Sequence, residues 1–187
     1  IDTAAGIAEL VAAARAAGRL ALAIETTGRF DRATVIGVAI AVADRAPAYV
    51  PLAHRSLAAG PPPSDSALAP LAALLADPAV AKVIHDSKDA ERCLLGRGWA
   101  VAGIVDDPLL AQFLVDGSVE PAIETIAAAV GATLPSHAAA TGKAGSFEAA
   151  APIEAATWLG TAAAAAAAAA PRLRANLAAR GLVGLYD

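Results

Sequence analysis

The residues with the most chemistry in them are carboxylates at the ends of predicted strands and the starts of predicted helices. Glu25 stands in Ala23-Ile24-Glu25-Thr26-Thr27-Gly28, Asp86 in Val83-Ile84-His85-Asp86-Ser87-Lys88-Asp89-Ala90, and Asp107 in Ile104-Val105-Asp106-Asp107-Pro108. Nucleotidyl hydrolysis by two Mg²⁺ ions about 3.5–4 Å apart needs carboxylates gathered from separate segments, one ion activating water and the other holding the leaving oxygen. A strand sends residues two apart to one face, so positions 23 and 25 point the same way, but only Glu25 is acidic. On a helix Asp86 shares the face of Ala90, four residues on, and could turn toward Glu25 and Asp107. Asp89 and Glu91 lie about 100° around the helix from Ala90. Mg²⁺ tolerates little displacement of its ligands. Glu25, Asp86 and Asp107 are therefore a weak set, no resident metal is expected, and any remaining activity would call on Mg²⁺ or Mn²⁺.

Other arrangements fail on spacing. His85, Asp86 and Ser87 are sequence neighbours, whereas a catalytic triad is assembled from separate elements. His54 and His137 lack partners at ligand spacing and read as hydrogen-bonded loop or core histidines. Cys93, the one cysteine, sits in an apolar pattern and reads as a buried thiol.

The elements that must position these residues follow from periodicity. Residues 3–17 carry apolar side chains at helical spacing and end near Gly18. Leu20 to Glu25, Thr34 to Val42 and Ala48 to Leu52 read as three antiparallel strands, with a turn from Gly28 to Arg32. After the Pro61-Pro62-Pro63 loop, residues 66–75 form a helix capped by Ser64 or Asp65, and Val80 to Ile84 a buried strand. Residues 86–95 read as helix, 102–105 as strand, and 108–115 and 123–130 as helices. Residues 135–145 read as a flexible loop, and 153–170 as a long helix that Pro171 stops. The Ala162 to Ala170 run is helix rather than low complexity, because Ala is the strongest helix former. The sum is an α/β domain with a mixed sheet.

Length and composition support one domain across residues 1–187. The hydrophobic fraction is 57%, much of it Ala, and no apolar run approaches the ~20 residues of a membrane span. No membrane association is expected, and the location expected is the cytoplasm. The chain begins with Ile1 and has no Met, which suggests a segment of a longer polypeptide. A net charge of −4 argues against a broad basic surface for nucleic acid, since phosphate contacts dominate such affinity.

The motifs together resemble the 3′-to-5′ proofreading exonuclease domain of bacterial family A, DNA polymerase I-like enzymes, members of the DEDD superfamily. Glu25-Thr26-Thr27-Gly28 is similar to the first exonuclease motif, with Ala23 at the Asp position. Tyr49-Val50-Pro51-Leu52-Ala53-His54 resembles the family's Ile-Pro-x-Ala-His segment. Residues 83–90 resemble the second motif, with Ala90 at its metal-binding Asp. Ser146-Phe147 leads to the third, Tyr-x-x-x-Asp, which here has Trp158 for the Tyr that positions water and Ala162 for the Asp. Asp107 matches the family's Asp-Thr segment.

The resemblance spans about residues 20–180 and implies an RNase H-like mixed sheet flanked by helices. It implies that Glu25 is the one remaining metal-binding carboxylate of four. It places Thr26, Asp86 and Lys143 on the substrate side, with the Gly142-Lys143 loop near phosphate, and it implies a covalently linked polymerase domain and a single-stranded DNA 3′ end as partners. Three readings follow: a catalytically inactive module that is structural or contacts DNA; a weakly active exonuclease using Glu25, Asp86 and Asp107; and a protein-interaction domain with no nucleic-acid role.

Overall fold

The computed structural model describes residues 1–28, 32–119 and 121–187. The elements run α1 (Ala4–Ala17), β1 (Arg19–Thr27), β2 (Thr34–Ala41), β3 (Ala48–Pro51), α2 (Asp65–Ala76), β4 (Ala81–Ile84), α3 (Ser87–Gly96), β5 (Ile104–Asp106), α4 (Pro108–Val115), α5 (Ile123–Ala129), α6 (His137–Thr141), α7 (Pro152–Ala179) and α8 (Val183–Tyr186). The sheet order is β3-β2-β1-β4-β5. β1, β2 and β3 pair antiparallel, while β4 lies parallel to β1 and β5 parallel to β4. This is the expected RNase H-like α/β arrangement. Of the turn read between Gly28 and Arg32, residues 29–31 lie outside the described residues.

The two faces of the sheet differ because its strands alternate large and small. Leu20, Leu22 and Ile24 of β1 and Val38 and Ile40 of β2 face a core built with Ile7, Leu10, Leu71, Leu75 and Leu94 of α1, α2 and α3. Ala21 and Ala41 point the other way, and there Ala163, Ala166 and Ala170 of α7 pack on them and on Val83. Period-two side chains on the strands thus meet a helix face of equally small residues. Caps fix the ends: Thr3 accepts from the Gly6 N–H, and Gly18 closes α1 at φ 65°, a left-handed position suited to glycine.

Three expectations are corrected. Residues 137–141 are helical, because Ser136 caps the Ala139 N–H and three alanines follow His137. Helix α7 continues through Pro171 to Ala179. Pro171 removes one backbone N–H, but Leu173 and Leu177 beyond it are buried in a cluster with Ala111, Val115 and Ile126, and that burial outweighs the lost bond. Counted whole, α7 is long and apolar enough, by length and composition, to cross a membrane, which the shorter reading had missed. In the fold it lies along the sheet with its alanine face buried.

Asp107 joins several elements. It is 5% exposed, and its carboxylate accepts from the N–H groups of Asp86 at 3.0 Å, Ser87 at 2.8 Å and Leu109 at 2.9 Å. One side chain therefore caps α4 and holds the start of α3. The Asp107 N–H donates to the Tyr186 hydroxyl at 2.6 Å, and that hydroxyl donates back to the Asp107 carbonyl. Burial, the larger cause, with the nearby Asp106 and Asp107 charges, pushes the Tyr186 phenol up to about 12.

Two outcomes are expected. Pro171→Ala, at an exposed position, should restore a helix donor and raise stability by about 1–3 kcal/mol in urea denaturation. A phenol raised from 10 to about 12 in the fold contributes stability that is fully present below pH 10 and lost as pH rises through 12. The unfolding free energy of Tyr186→Phe should therefore fall less steeply across that window than that of the parent chain.

Candidate active-site cleft

Strand β1 carries the first motif. Its register sets Ala23 opposite Ala39 and Glu25 opposite Gly37 on β2, with an irregularity between Glu25 and Thr26. Gly37 is required by close packing, since a Cβ there would lie 2.0 Å from the Tyr49 hydroxyl. That hydroxyl is 2.7 Å from Nε2 of His54. Burial first, and the charge of Glu25 second, hold the Tyr49 phenol well above its ordinary range.

A cavity of about 410 Å³ opens where β1 and β4 end, between α3 and α7. Ala23, Ala90 and Ala162 all line it, together with Glu25, Thr26, His85, Asp86, Asp89, His137 and Trp158. Positions far apart in the chain, each an alanine, thus converge on one space. Among the described residues, the carboxylates around it are Glu25, Asp86 and Asp89, and neither Lys nor Arg lines it. Lys143 is exposed on the turn Gly142–Ala144 and is not part of the lining.

Glu25 is 4% exposed. Its carboxylate accepts the Phe147 N–H at 2.9 Å and Nε2 of His137 at 3.0 Å. His137 also donates its backbone N–H to Glu124 at 2.8 Å. The rings of His137 and Trp158 meet edge to face at 5.2 Å, and those of His137 and Phe147 at 5.6 Å. Trp158 donates its indole N–H to the Pro135 carbonyl at 2.9 Å. A tryptophan at this place is tied down by its only polar atom.

Several sequence expectations move. Asp86 is not the first residue of a helix: it precedes α3 with φ 55° and ψ 57°, a left-handed position that Asp tolerates better than most residues. Asp107 is the physical reason, since it takes the N–H groups of both Asp86 and Ser87. Asp86 still lines the cavity. Asp107 does not join Glu25 there; it lines a separate space with Asp106, Arg174 and Tyr186, and its oxygens are occupied by backbone donors. Asp89, set aside in sequence as rotated from Ala90, does line the cavity, which wraps the first turn of α3. His137 is the residue most underrated by sequence. The Ser136-His137 start of an alanine helix was its one available signal.

Two Mg²⁺ ions carry four positive charges and need several oxygen ligands within about 2.1 Å. The donors here do not fit such a pair. Glu25 already accepts from two protein donors, and among the described residues no three of His, Cys, Asp and Glu are grouped to hold a metal ion.

Known proteins place this geometry. DNA polymerase I of Mycobacterium tuberculosis is 42% identical over 78 residues, which is 42% of this chain and 8% of that protein. The chain thus spans a small part of the curated relatives it matches. A structure described as the POL domain of Pol1 from M. smegmatis, in complex with DNA primer-template and dNTP, superposes with a TM-score of 0.72 at 24% identity, over 98% of this chain and 27% of that one. Escherichia coli RNase D, described as an exoribonuclease involved in structured RNA processing, gives 0.68 at 20% identity, over 97% and 45%. These two likenesses establish the fold. A family model described as 3′-5′ exonuclease matches residues 1–119; with more than half of its length matched, this chain belongs to the 3′-5′ exonuclease family.

Proposed function

We propose that this chain is the exonuclease domain of a bacterial DNA polymerase I in which two-metal hydrolysis has been lost, and that it serves a linked polymerase domain as a structural or weakly DNA-contacting module. The observation that carries this reading is the convergence of Ala23, Ala90 and Ala162 on one cavity, the positions where the family's Asp ligands are expected. Methyl groups in those places leave a cation pair without its counter-charge. The similarity to mycobacterial DNA polymerase I supports the polymerase context, and the chain is then one domain of that longer protein, located in the cytoplasm. The weakly active alternative built on Glu25, Asp86 and Asp107 has less support, because Asp107 faces another space and is filled by backbone donors.

A labelled single strand with a free 3′ end, incubated for hours with the chain and Mg²⁺ or Mn²⁺, should keep its length. Divalent-metal titration by calorimetry should show no saturable heat. Shortening that needs metal and disappears in Glu25→Ala would overturn the reading. Weak binding of the strand, strongest at low salt, favours a DNA-contacting role; no binding even there favours a protein-interaction role.

A further inference from the structure

We infer that Glu25 has changed task in this chain: its buried carboxylate anchors residues 136–147 as the outer wall of the cleft, so that protein contacts set the cleft's shape without a cation. Residues 137–145 of the wall bury no side chain, although Phe147 at its far end sits in a core cluster with Ala39, Tyr49 and Leu159. Helix α6 buries none of its residues, and Lys143, Ala144 and Gly145 are exposed. What fixes it is a set of polar ties at its two ends, with the Phe147 ring packed in the core beside the second. At one end, Nε2 of His137 donates to Glu25 at 3.0 Å and the His137 N–H donates to Glu124. At the other, the Phe147 N–H donates to the same Glu25 carboxylate at 2.9 Å.

Glu25 is suited to this work because it sits on a central strand rather than on a loop. It is separated by 112 residues from His137 and by 122 from Phe147, so one rigid group closes both ends of the segment. Hydrogen bonds to an ionised acceptor are the strong ones, and a buried carboxylate left without donors would be costly. The two donors that satisfy Glu25 are the two points from which the wall hangs. His137 and Trp158, which the wall holds edge to face, both line the cavity. The anchor thus sets the width of the cleft mouth.

The inference rests on the reading above only in that Glu25 is not engaged by metal, and its test is separate from the nuclease assay. Hydrogen exchange of the full chain, without divalent metal, should be compared for the parent, Glu25→Gln, His137→Ala and the double variant. Each single change should speed exchange over residues 137–145 by about tenfold or more, the scale of one lost charge-assisted hydrogen bond. The double variant should add little beyond either single one, because both remove the same contact. Protection in α1 and α2 should not change. Millimolar Mg²⁺ should leave the parent's exchange over 137–145 unaltered. Should Glu25→Gln unfold the chain, His137→Ala, at a side chain 38% exposed, carries the test by itself. Unchanged exchange over 137–145 in His137→Ala, fully additive effects in the double variant, or a Mg²⁺-dependent change in the parent would each overturn the inference.

Discussion

The contact on which most of this molecule depends is alanine against alanine. Helix α7 lies on a sheet face whose strands offer Ala21, Ala39 and Ala41; it presents Ala163, Ala166 and Ala170 to the first and last, and Ala155 with Leu159 to Ala39. Side chains of one carbon let a 28-residue helix settle close to the strands, and close-packed interiors draw their cohesion from many such short contacts. The large aliphatic residues are kept for the opposite face, where α1 and α2 need volume to fill. The position of α7 then fixes Trp158 and Ala162 at the cleft. It also explains why one internal proline is tolerated: the helix is held from outside along its length.

Carboxylates in the neighbourhood of the cleft satisfy backbone donors. Asp107 gathers three N–H groups from two helix starts, and Glu25 gathers one N–H and one imidazole. Such groups are at home in a buried site only when their charge is met by donors, and here the protein meets it internally. Among the described residues, the remaining acids at the rim, Asp86 and Asp89, add negative charge to the cleft, a poor setting for a phosphate backbone unless a cation intervenes.

Much of this was legible in sequence, for definite reasons. The five strands showed in β-branched runs and period-two alternation, and Pro108 and Ser64 marked helix starts as the capping rules require. The cleft was legible through its motif positions, which by themselves place Ala23, Ala90, Ala162 and Trp158 together. What could not be read was set by distant contacts. Pro171 stops a helix by local rules, yet Leu173 and Leu177 find a buried cluster that local rules do not see. Asp86 looked helical because its left-handed backbone depends on a carboxylate 21 residues away. Residues 137–141 are the exception, since there the Gly-containing stretch masked a local Ser136 cap and alanine run, whereas His137 looked isolated because its partner Glu25 lies in β1.

The three alanines that share the cleft bear on what an acid placed there would meet. A single mutation introducing an acid at position 23, 90 or 162 would put a new negative charge into a space already lined by Glu25, Asp86 and Asp89. Unless a cation receives it, that charge is unpaired and disfavours the fold. A cation pair would need several such acids together and Glu25 released from His137, whereas the penalty arrives with the first. Acids added there one at a time therefore lower stability before they can gather a cation, so stability itself favours the alanines.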